Sequence, residues 1–300
     1  MAPHRTFWNV VASAQALAWF LALPPLLKPY WENVWSQFSP LAAQVIMNET
    51  GLVYFLTYAL VMLPIYSGNY SFFEQYKISE KPWAWRSEKK EVRDEFWRLT
   101  RRSLILFLTN YCVLVPILST AKYFLLDHDI SFSTGVDWPQ YSEILRDNAL
   151  MTLIHEFVFY WSHRLAHHPR LYKFHKIHHE YKQNTVLAAT HEHPIDYTLT
   201  IALPALIAVV VVKPHSLTLF LWIGWIIMAN IDDHCGYEFP WSPVRWFWFS
   251  NQTAQHEFHH SKNMGCFASK LNVYDKIFDS ESAYLEWNSK RVKKSSKRFD

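Results

Sequence analysis

Long apolar stretches are the feature that most constrains how this chain folds. They lie at 7–27, 41–66, 104–126, 143–162, 198–212 and 216–231. The first three are long enough to span a bilayer as helices, which takes about 20 residues. Charged residues interrupt the fourth, and the last two are short and separated by Lys213-Pro214-His215. The sequence therefore predicts an all-α integral membrane protein with about four transmembrane helices plus a membrane hairpin over 198–231.

The composition agrees with a membrane location. Half of the residues are hydrophobic and only 18% are charged, against roughly 25% in soluble domains. The first apolar stretch is longer than the core of a signal peptide, so we expect an uncleaved anchor. Three scattered cysteines exclude a disulfide framework. The basic residues do not form a nucleic-acid motif, so no nucleic-acid partner is expected.

Charges in the connecting segments predict the orientation. The block 77–102 is rich in Lys and Arg, which by the positive-inside rule places it in the cytosol. The segment 127–142 contains three aspartates and no Lys or Arg, which suits the opposite side. Counting crossings from these two segments places residues 163–197, and everything after 232, in the cytosol. The polar part of the chain would therefore form a cytosolic, histidine-rich helical cap.

The histidines are clustered. Eight of the sixteen lie within residues 163–193. His163 and His167 form an H-x3-H motif, and H-x2-H-H occurs twice, first as His175, His178 and His179 and then as His256, His259 and His260. On a helix, spacings of three and four residues bring side chains to one face. We expect each motif to direct two or three imidazoles the same way, which favours metal binding over a structural role.

The number of ligands indicates two metal ions. The three motifs supply eight imidazoles, more than the four that complete a structural zinc site. Imidazole suits Zn, Cu, Fe and Ni, so ligand type alone does not identify the metal, and a two-zinc hydrolase remains open. Iron with dioxygen is preferred because the motifs follow membrane spans, where a lipid can approach and water is scarce.

The motifs resemble those of the fatty acid hydroxylase/sterol desaturase superfamily, and most of all sterol C4-methyl oxidases, from about His155 to Phe278. The residues that carry this resemblance are Phe159-Tyr160-Trp161-Ser162-His163-Arg164, Leu171-Tyr172-Lys173, His175-Lys176-Ile177-His178-His179-Glu180, His193-Pro194, the run from His234 to Trp241, and Tyr274-Asp275-Lys276-Ile277-Phe278. The chain departs from that pattern at Gln255, Glu257 and Asp279-Ser280. These departures concern the substrate rather than the metal site.

The resemblance implies a set of metal ligands. They are His163, His167, His175, His178, His179, His234, His256, His259 and His260, with His193 as a tenth ligand or an outer-shell residue. Acidic residues near them are candidates to orient the imidazoles, because metal-bound histidines commonly donate their second N–H to a carboxylate. These are Asp232, Asp233, Glu180, Asp196 and Glu257.

Other residues near the motifs are predicted to have roles other than metal binding, or their role is left open. We expect His168 to lie on the surface and His155 to be a core or membrane-facing residue, whereas His191 as a ligand is left open. Trp241, Trp246 and Trp248, with the intervening phenylalanines, are candidates for an aromatic shelf near the site at the membrane interface, and the alternative is a plain membrane-contact surface.

The resemblance also implies a function and an organisation. The chain would be a di-iron membrane monooxygenase of the endoplasmic reticulum that oxidises the C4 methyl group of a sterol with dioxygen. Its electrons would come from a cytochrome b5 or an NAD(P)H-dependent reductase, because the sequence has no G-x-G-x-x-G motif. Zinc can replace iron in recombinant material. Two alternatives are a hydroxylase or desaturase of another polycyclic or acyl lipid, and a metal-binding membrane transporter.

We expect three regions along the chain. Residues 1–142 would hold the N-terminal transmembrane helices and a cytosolic loop, and residues 143–285 the oxygenase domain with its hairpin. Residues 286–300 would be a basic tail, disordered from Lys290 onward. The tail ends in 297–300, a loose variant of a dibasic endoplasmic-reticulum retrieval signal.

Overall fold

The computed structural model of the protein describes residues 2–35, 37–68, 70–79, 81–126, 138–245, 250 and 252–296. Most of the acidic segment 127–142, the tryptophans Trp246 and Trp248, and the tail residues 297–300 therefore lie outside the described residues, as do His128 and the side chain of His4.

The described residues are mainly α-helical. Helices α1 to α14 are, in chain order, Ala2–Leu17, Leu23–Trp35, Pro40–Ser67, Ser71–Glu74, Lys90–Thr109, Val115–Leu126, Tyr141–Ala166, Pro169–His175, Pro194–Tyr197, Leu203–Val212, Ser216–His234, Thr253–Lys262, Val273–Ile277 and Ser282–Ser296. Short π-helical turns at Ala18–Ala22, Asn110–Leu114 and Thr198–Ala202 join α1 to α2, α5 to α6 and α9 to α10. Over the described ranges no β-strand forms, and pairing is limited to two isolated bridges.

Five helical segments are long and apolar enough to cross a membrane. They are Thr6–Trp31, Leu41–Ser67, Lys90–Leu126, Pro194–Val212 and Ser216–His234. The prediction of an all-α, multi-pass membrane protein is thus confirmed. The last segment, α11, is the central one, because 67% of its most apolar 18-residue stretch is buried, against 17–33% for the other segments.

The hairpin differs in length from the prediction. The first limb begins earlier than predicted, at Pro194, and the second ends later, at His234, so each has 19 residues and a length of about 28 Å. That approaches the hydrocarbon thickness of a bilayer, so neither limb is too short to cross. Lys213 ends the first limb in a left-handed conformation with φ of 52°. His215 caps α11, its Nδ1 accepting a hydrogen bond from the Leu217 N–H at 3.1 Å.

The fourth predicted span, α7, is not among the five. Its buried face is polar, including Asn148, His155 and Glu156, which lowers the mean hydropathy. Its exposed face carries a row of large apolar side chains four residues apart, namely Leu153, Phe157, Trp161 and Leu165. Such a row is typical of a helix that faces lipid on one side and protein on the other, so the crossing of α7 remains a prediction.

Polar side chains hold the N-terminal helices against α11. The Trp31 indole N–H donates to Ser216 Oγ at 3.1 Å, and the Trp19 indole N–H donates to the Leu221 carbonyl at 3.1 Å. Gly224 lies where Trp19 approaches, and a Cβ at this position would be 2.6 Å from the Trp19 and Tyr54 rings. Close approach of these helices therefore requires glycine here.

The prediction of disorder from Lys290 is wrong for most of the tail. Helix α14 continues to Ser296. Lys290 pairs with Glu286 one turn earlier at 2.6 Å, and Arg291 reaches Glu238 at 3.0 Å. These contacts stabilise a segment whose composition alone suggests a solvated tail.

Candidate metal centre

Nine histidines gather where the membrane helices meet the polar part of the chain. They form two groups, within each of which the candidate ligand atoms lie within 4.8 Å of one another. The first group is His163, His167, His175, His179 and His259, and the second is His178, His234, His256 and His260. The groups adjoin, with the rings of His179 and His260 4.7 Å apart between centroids and those of His175 and His178 5.5 Å apart.

The two H-x2-H-H motifs each serve both groups. His175 and His179, four residues apart, join the first group, while His178 between them joins the second. In the last motif the assignment is reversed, because His256 and His260 join the second group and His259 between them joins the first. Two imidazoles of each motif therefore share a group, as predicted, whereas the third imidazole of each H-x2-H-H motif joins the other group. The last motif lies on α12, where positions three and four residues along the helix lie on opposite sides of the starting side chain, so this motif can reach two centres.

Different secondary structures supply these side chains. His163 lies in the last turn of α7 and His167 at its C-cap, while His234 is the last residue of α11. His256, His259 and His260 lie on α12. The middle motif is not on one helix, because α8 ends at His175 and a 3₁₀ turn, His178–Glu180, follows.

Oxygen acceptors fix the orientation of four of the rings. Each of these rings has its Nδ1 within 3.0 Å of a carbonyl or carboxylate oxygen, so Nδ1 is the protonated nitrogen and Nε2 carries the free lone pair. The contacts are His163 to the Phe267 carbonyl at 2.9 Å, His259 to the Gly265 carbonyl at 2.6 Å, His234 to the Asn230 carbonyl at 2.7 Å, and His175 to the Asp196 carboxylate at 2.9 and 3.0 Å.

The Nε2 atoms converge at spacings suited to metal coordination. The distances are 2.8 Å from His234 to His256, 3.0 Å from His256 to His260, 3.0 Å from His175 to His179, 3.2 Å from His167 to His259 and 3.4 Å from His178 to His234. Ligand nitrogens about 2.1 Å from one metal ion are ~3.0 Å apart at octahedral angles and ~3.4 Å at tetrahedral angles. The donor atoms of both groups therefore fit a metal ion.

Burial keeps the imidazoles in the neutral form that binds metal. Desolvation, followed by the neighbouring His259 and His175, lowers the pKa of His167 to about 2. Desolvation, followed by His175, lowers the pKa of His259 to about 3. The pKa values of His178, His179, His256 and His260 also lie well below the ordinary value, first because of burial and then because of neighbouring imidazoles. Neutral rings crowded in this way are stabilised when a cation lies between them.

The histidines outside the two groups have other contacts. His193, the proposed tenth ligand, caps α9, with its Nδ1 accepting from the Ile195 N–H at 3.1 Å. His168 is exposed and caps α8 in the same manner. His191 is buried between Ser103 and Glu180, at 2.8 and 3.1 Å. His155 is also buried, with its ring against Phe159 and Trp222.

The five predicted acidic residues lie in different surroundings. Asp196 contacts a group member, His175. Asp232 and Asp233 both pair with Arg245, the latter at 2.7 Å. Glu180 pairs with Arg102 at 2.5 Å and with His191. Glu257 is buried beside an open groove of about 1050 Å³, and burial raises its pKa to about 7.

A small cavity of about 20 Å³ lies between the histidines and the membrane helices. Members of both groups line it, together with Phe159 of α7 and Ile201 of the hairpin. Glu192 also lines it and was not predicted as a site residue, although it directly precedes His193-Pro194. The orienting carbonyls of Asn230, Gly265 and Phe267 were missed as well, since a main-chain acceptor has no signal in the sequence.

Fold and site together define a class of protein, a multi-pass helical membrane protein with two adjoining polyhistidine groups at the ends of its helices. Residues 148–280 match the family model described as Fatty acid hydroxylase. This part of the chain is thus similar to the fatty acid hydroxylase family, which confirms the resemblance predicted from the motifs.

The chain is also similar to curated proteins along most of its length. It is 27% identical to methylsterol monooxygenase 1 of Danio rerio, with 88% of each chain covered. It is 27% identical to methylsterol monooxygenase 1 of Gallus gallus, covering 91% of this chain and 90% of the relative. The C-4 methylsterol oxidase erg25 of Schizosaccharomyces pombe is 26% identical, over 69% of this chain and 70% of the relative. No solved structure matches the chain.

Proposed function

We propose that the protein is a membrane-bound non-haem di-iron oxygenase that hydroxylates the C4 methyl group of a sterol. The observation that carries the proposal is the pair of polyhistidine groups, with five and four imidazoles, whose donor atoms face one another. The substrate comes from the relatives, which are named as methylsterol monooxygenases or a C-4 methylsterol oxidase. The fatty acid hydroxylase domain supports oxidation of a lipid C–H bond.

Iron bound in the two groups would supply the activation of dioxygen, so that a methyl group, dioxygen, two electrons and two protons give a hydroxymethyl group and water. The residues of the chain orient the metal-binding imidazoles and limit the entry of water. The acceptors of His163, His175, His234 and His259 fix four rings before any ligand arrives, which lowers the cost of assembling the site. Phe159 and Ile201 line the cavity with apolar surface, which limits entry of water.

The site also suits a substrate that comes from the membrane. The cavity is lined by residues of α7 and of both limbs of the hairpin, three helical segments that run from the apolar region to the histidines. We propose that the sterol reaches the cavity along these helices and that both groups face the cytosol, as the charge distribution predicts. A transporter would instead place polar ligands along the spans, whereas these histidines gather at the helix ends.

The electrons must come from another protein, since the sequence contains no nucleotide-binding glycine motif. We propose a cytochrome b5 or an NAD(P)H-dependent reductase of the endoplasmic reticulum membrane. The exposed basic residues of α5, Arg98 and Arg101 among them, suit an acidic partner.

Complementation of a yeast strain that lacks its C4-methylsterol oxidase tests the proposal. We expect the wild-type chain to restore growth and to remove accumulated C4-methylated sterols, with about two irons in the purified protein. His178→Ala removes one of four ligands in the second group and should abolish rescue. His168→Ala is the matched control, because His168 is exposed and belongs to neither group. Unchanged C4-methylated sterols, with the wild-type protein present in the membrane, would exclude this substrate.

A further inference from the structure

Glu192 is a buried acid in the cavity beside the two histidine groups. Its side chain is 5% exposed and lines the cavity together with His163, His175 and His178. It belongs to neither histidine group. The carboxyl group is therefore placed beside the proposed metal centre without being one of its ligands.

The carboxyl group of Glu192 has no hydrogen bond or ion pair with any residue in the described part of the chain. Other acids nearby do have partners, since Asp196 contacts His175 and Asp233 pairs with Arg245. Burying a polar group without a partner is costly, and buried polar groups in native proteins are almost always hydrogen bonded. An unpartnered carboxyl group that lines a cavity is therefore suited to bind something that enters the cavity.

The main chain around Glu192 is held rigidly. Its carbonyl accepts a hydrogen bond from the Asn110 side-chain amide at 2.9 Å. On one side His191 is fixed by Ser103 and Glu180, and on the other side His193 caps α9. The carboxyl group thus projects from a preorganised backbone, as expected for a residue that selects a ligand.

The other uncharged polar side chains in the cavity are already engaged. The Thr200 hydroxyl donates to the Asp196 carbonyl at 2.9 Å, and the Asn230 amide donates to the Ala189 carbonyl at 3.4 Å. Ser269 accepts from the Lys270 ammonium at 2.5 Å. In the described part of the chain, Glu192 is therefore the polar side chain lining the cavity for which no hydrogen bond within the protein is present.

The size of the cavity limits what Glu192 can contact. A volume of about 20 Å³ holds one water-sized group, so only the reacting end of a lipid enters. In a sterol, the carbon that carries the C4 methyl group is bonded to the carbon that carries the 3-hydroxyl group. When this methyl group enters the cavity, the hydroxyl group therefore lies at the edge of the cavity, next to residues that line it.

We propose that Glu192 binds the hydroxyl group next to the oxidised methyl group and thereby orients that methyl group toward the two histidine groups. This inference rests on the proposed function. It makes Glu192 a specificity-determining residue that selects lipids with an adjacent hydroxyl group over those without one. A buried polar group that is left without its hydrogen-bond partner corresponds to about a 10- to 100-fold effect on kcat/KM.

The test compares two substrates in membranes that contain the iron-loaded enzyme and its electron donors. One substrate is a 4,4-dimethylsterol, and the other is the same compound with the 3-hydroxyl group replaced by hydrogen. We expect the wild type to prefer the hydroxylated compound by about 10- to 100-fold in kcat/KM. Glu192→Leu should abolish this preference, whereas Glu192→Gln, whose amide oxygen still accepts a hydrogen bond, should keep most of it.

Controls separate this role from a structural one. Asp147→Asn alters another buried acid, one that pairs with Arg146 and does not line the cavity, and should retain the wild-type preference. Should Glu192→Leu fail to accumulate, Glu192→Ala gives the same comparison without added bulk. A wild type with no preference, or a Leu or Ala variant that slows both substrates equally, overturns the role of Glu192. A wild type that oxidises neither compound instead overturns the proposed function.

Discussion

The contact between Asp196 and His175 allows a quantitative prediction about metal retention. Both carboxylate oxygens lie within hydrogen-bonding distance of His175 Nδ1, at 2.9 and 3.0 Å, and the two side chains are only 1% and 2% exposed. Solvent therefore screens this interaction little. We predict that Asp196→Asn weakens metal binding in the first histidine group, because the neutral amide offers a single oxygen and no charge.

The size of the effect follows from the strength of the bond. A hydrogen bond with a charged partner contributes about 1.5–3 kcal/mol, and a tenfold change in affinity corresponds to about 1.4 kcal/mol. Loss of the charge should thus weaken metal binding by roughly 10- to 100-fold, the range typical of residues that orient metal-bound histidines. Asn should lie near the lower end of that range, and Asp196→Ala, which removes every acceptor, near the upper end.

Chelator competition measures this effect directly. Iron-loaded wild-type and variant proteins in detergent would be titrated with a chelator, and the iron remaining on the protein counted. The matched control is Asp147→Asn, a buried aspartate that contacts Arg146 instead of a histidine. Identical chelator curves for Asp196→Asn and the wild type would refute the reasoning, as would equal loss of iron from the control.

Three further predictions concern stability. Arg245→Met leaves Asp232 and Asp233 buried without their cation. The free energy of unfolding should therefore fall by about 3–5 kcal/mol, which a lower melting temperature would show. A melting temperature equal to that of the wild type would contradict this prediction. Gly224→Val places side-chain atoms where Trp19 and Tyr54 already lie, and it should lower the free energy of unfolding by about 1–3 kcal/mol in the same assay. Gly51→Ala is the control, because contacts at this position have ordinary distances, and it should lower the free energy of unfolding by less. In the metal-free protein, the pKa of His259 is lowered to about 3, mainly by burial and then by His175. This imidazole therefore gains a proton below about pH 6.5 only in the unfolded state. The free energy of unfolding should fall as the pH drops from 7 toward 4, and a constant or rising melting temperature would refute this.

The sequence by itself determined the membrane class, the hairpin and the histidine motifs. Apolar stretches of about 20 residues have few alternatives to membrane helices, because every backbone polar group must be satisfied within lipid. The Lys213-Pro214-His215 break is similarly local, since proline cannot continue the preceding helix. The motifs could be recognised from spacing because the ligand residues are neighbours along the chain.

Only the tertiary structure decided which imidazole joins which group and which histidines lie outside both groups. The ring of His163 is oriented by the Phe267 carbonyl, 104 positions away in the sequence, and spacing cannot reveal such a contact. His193 has the position of a ligand in the motif but caps a helix, because its backbone is extended before Pro194. Glu192 is one residue away and lines the cavity. The direction of a side chain at the end of a helix depends on how distant segments pack, and the sequence of one segment does not contain that information.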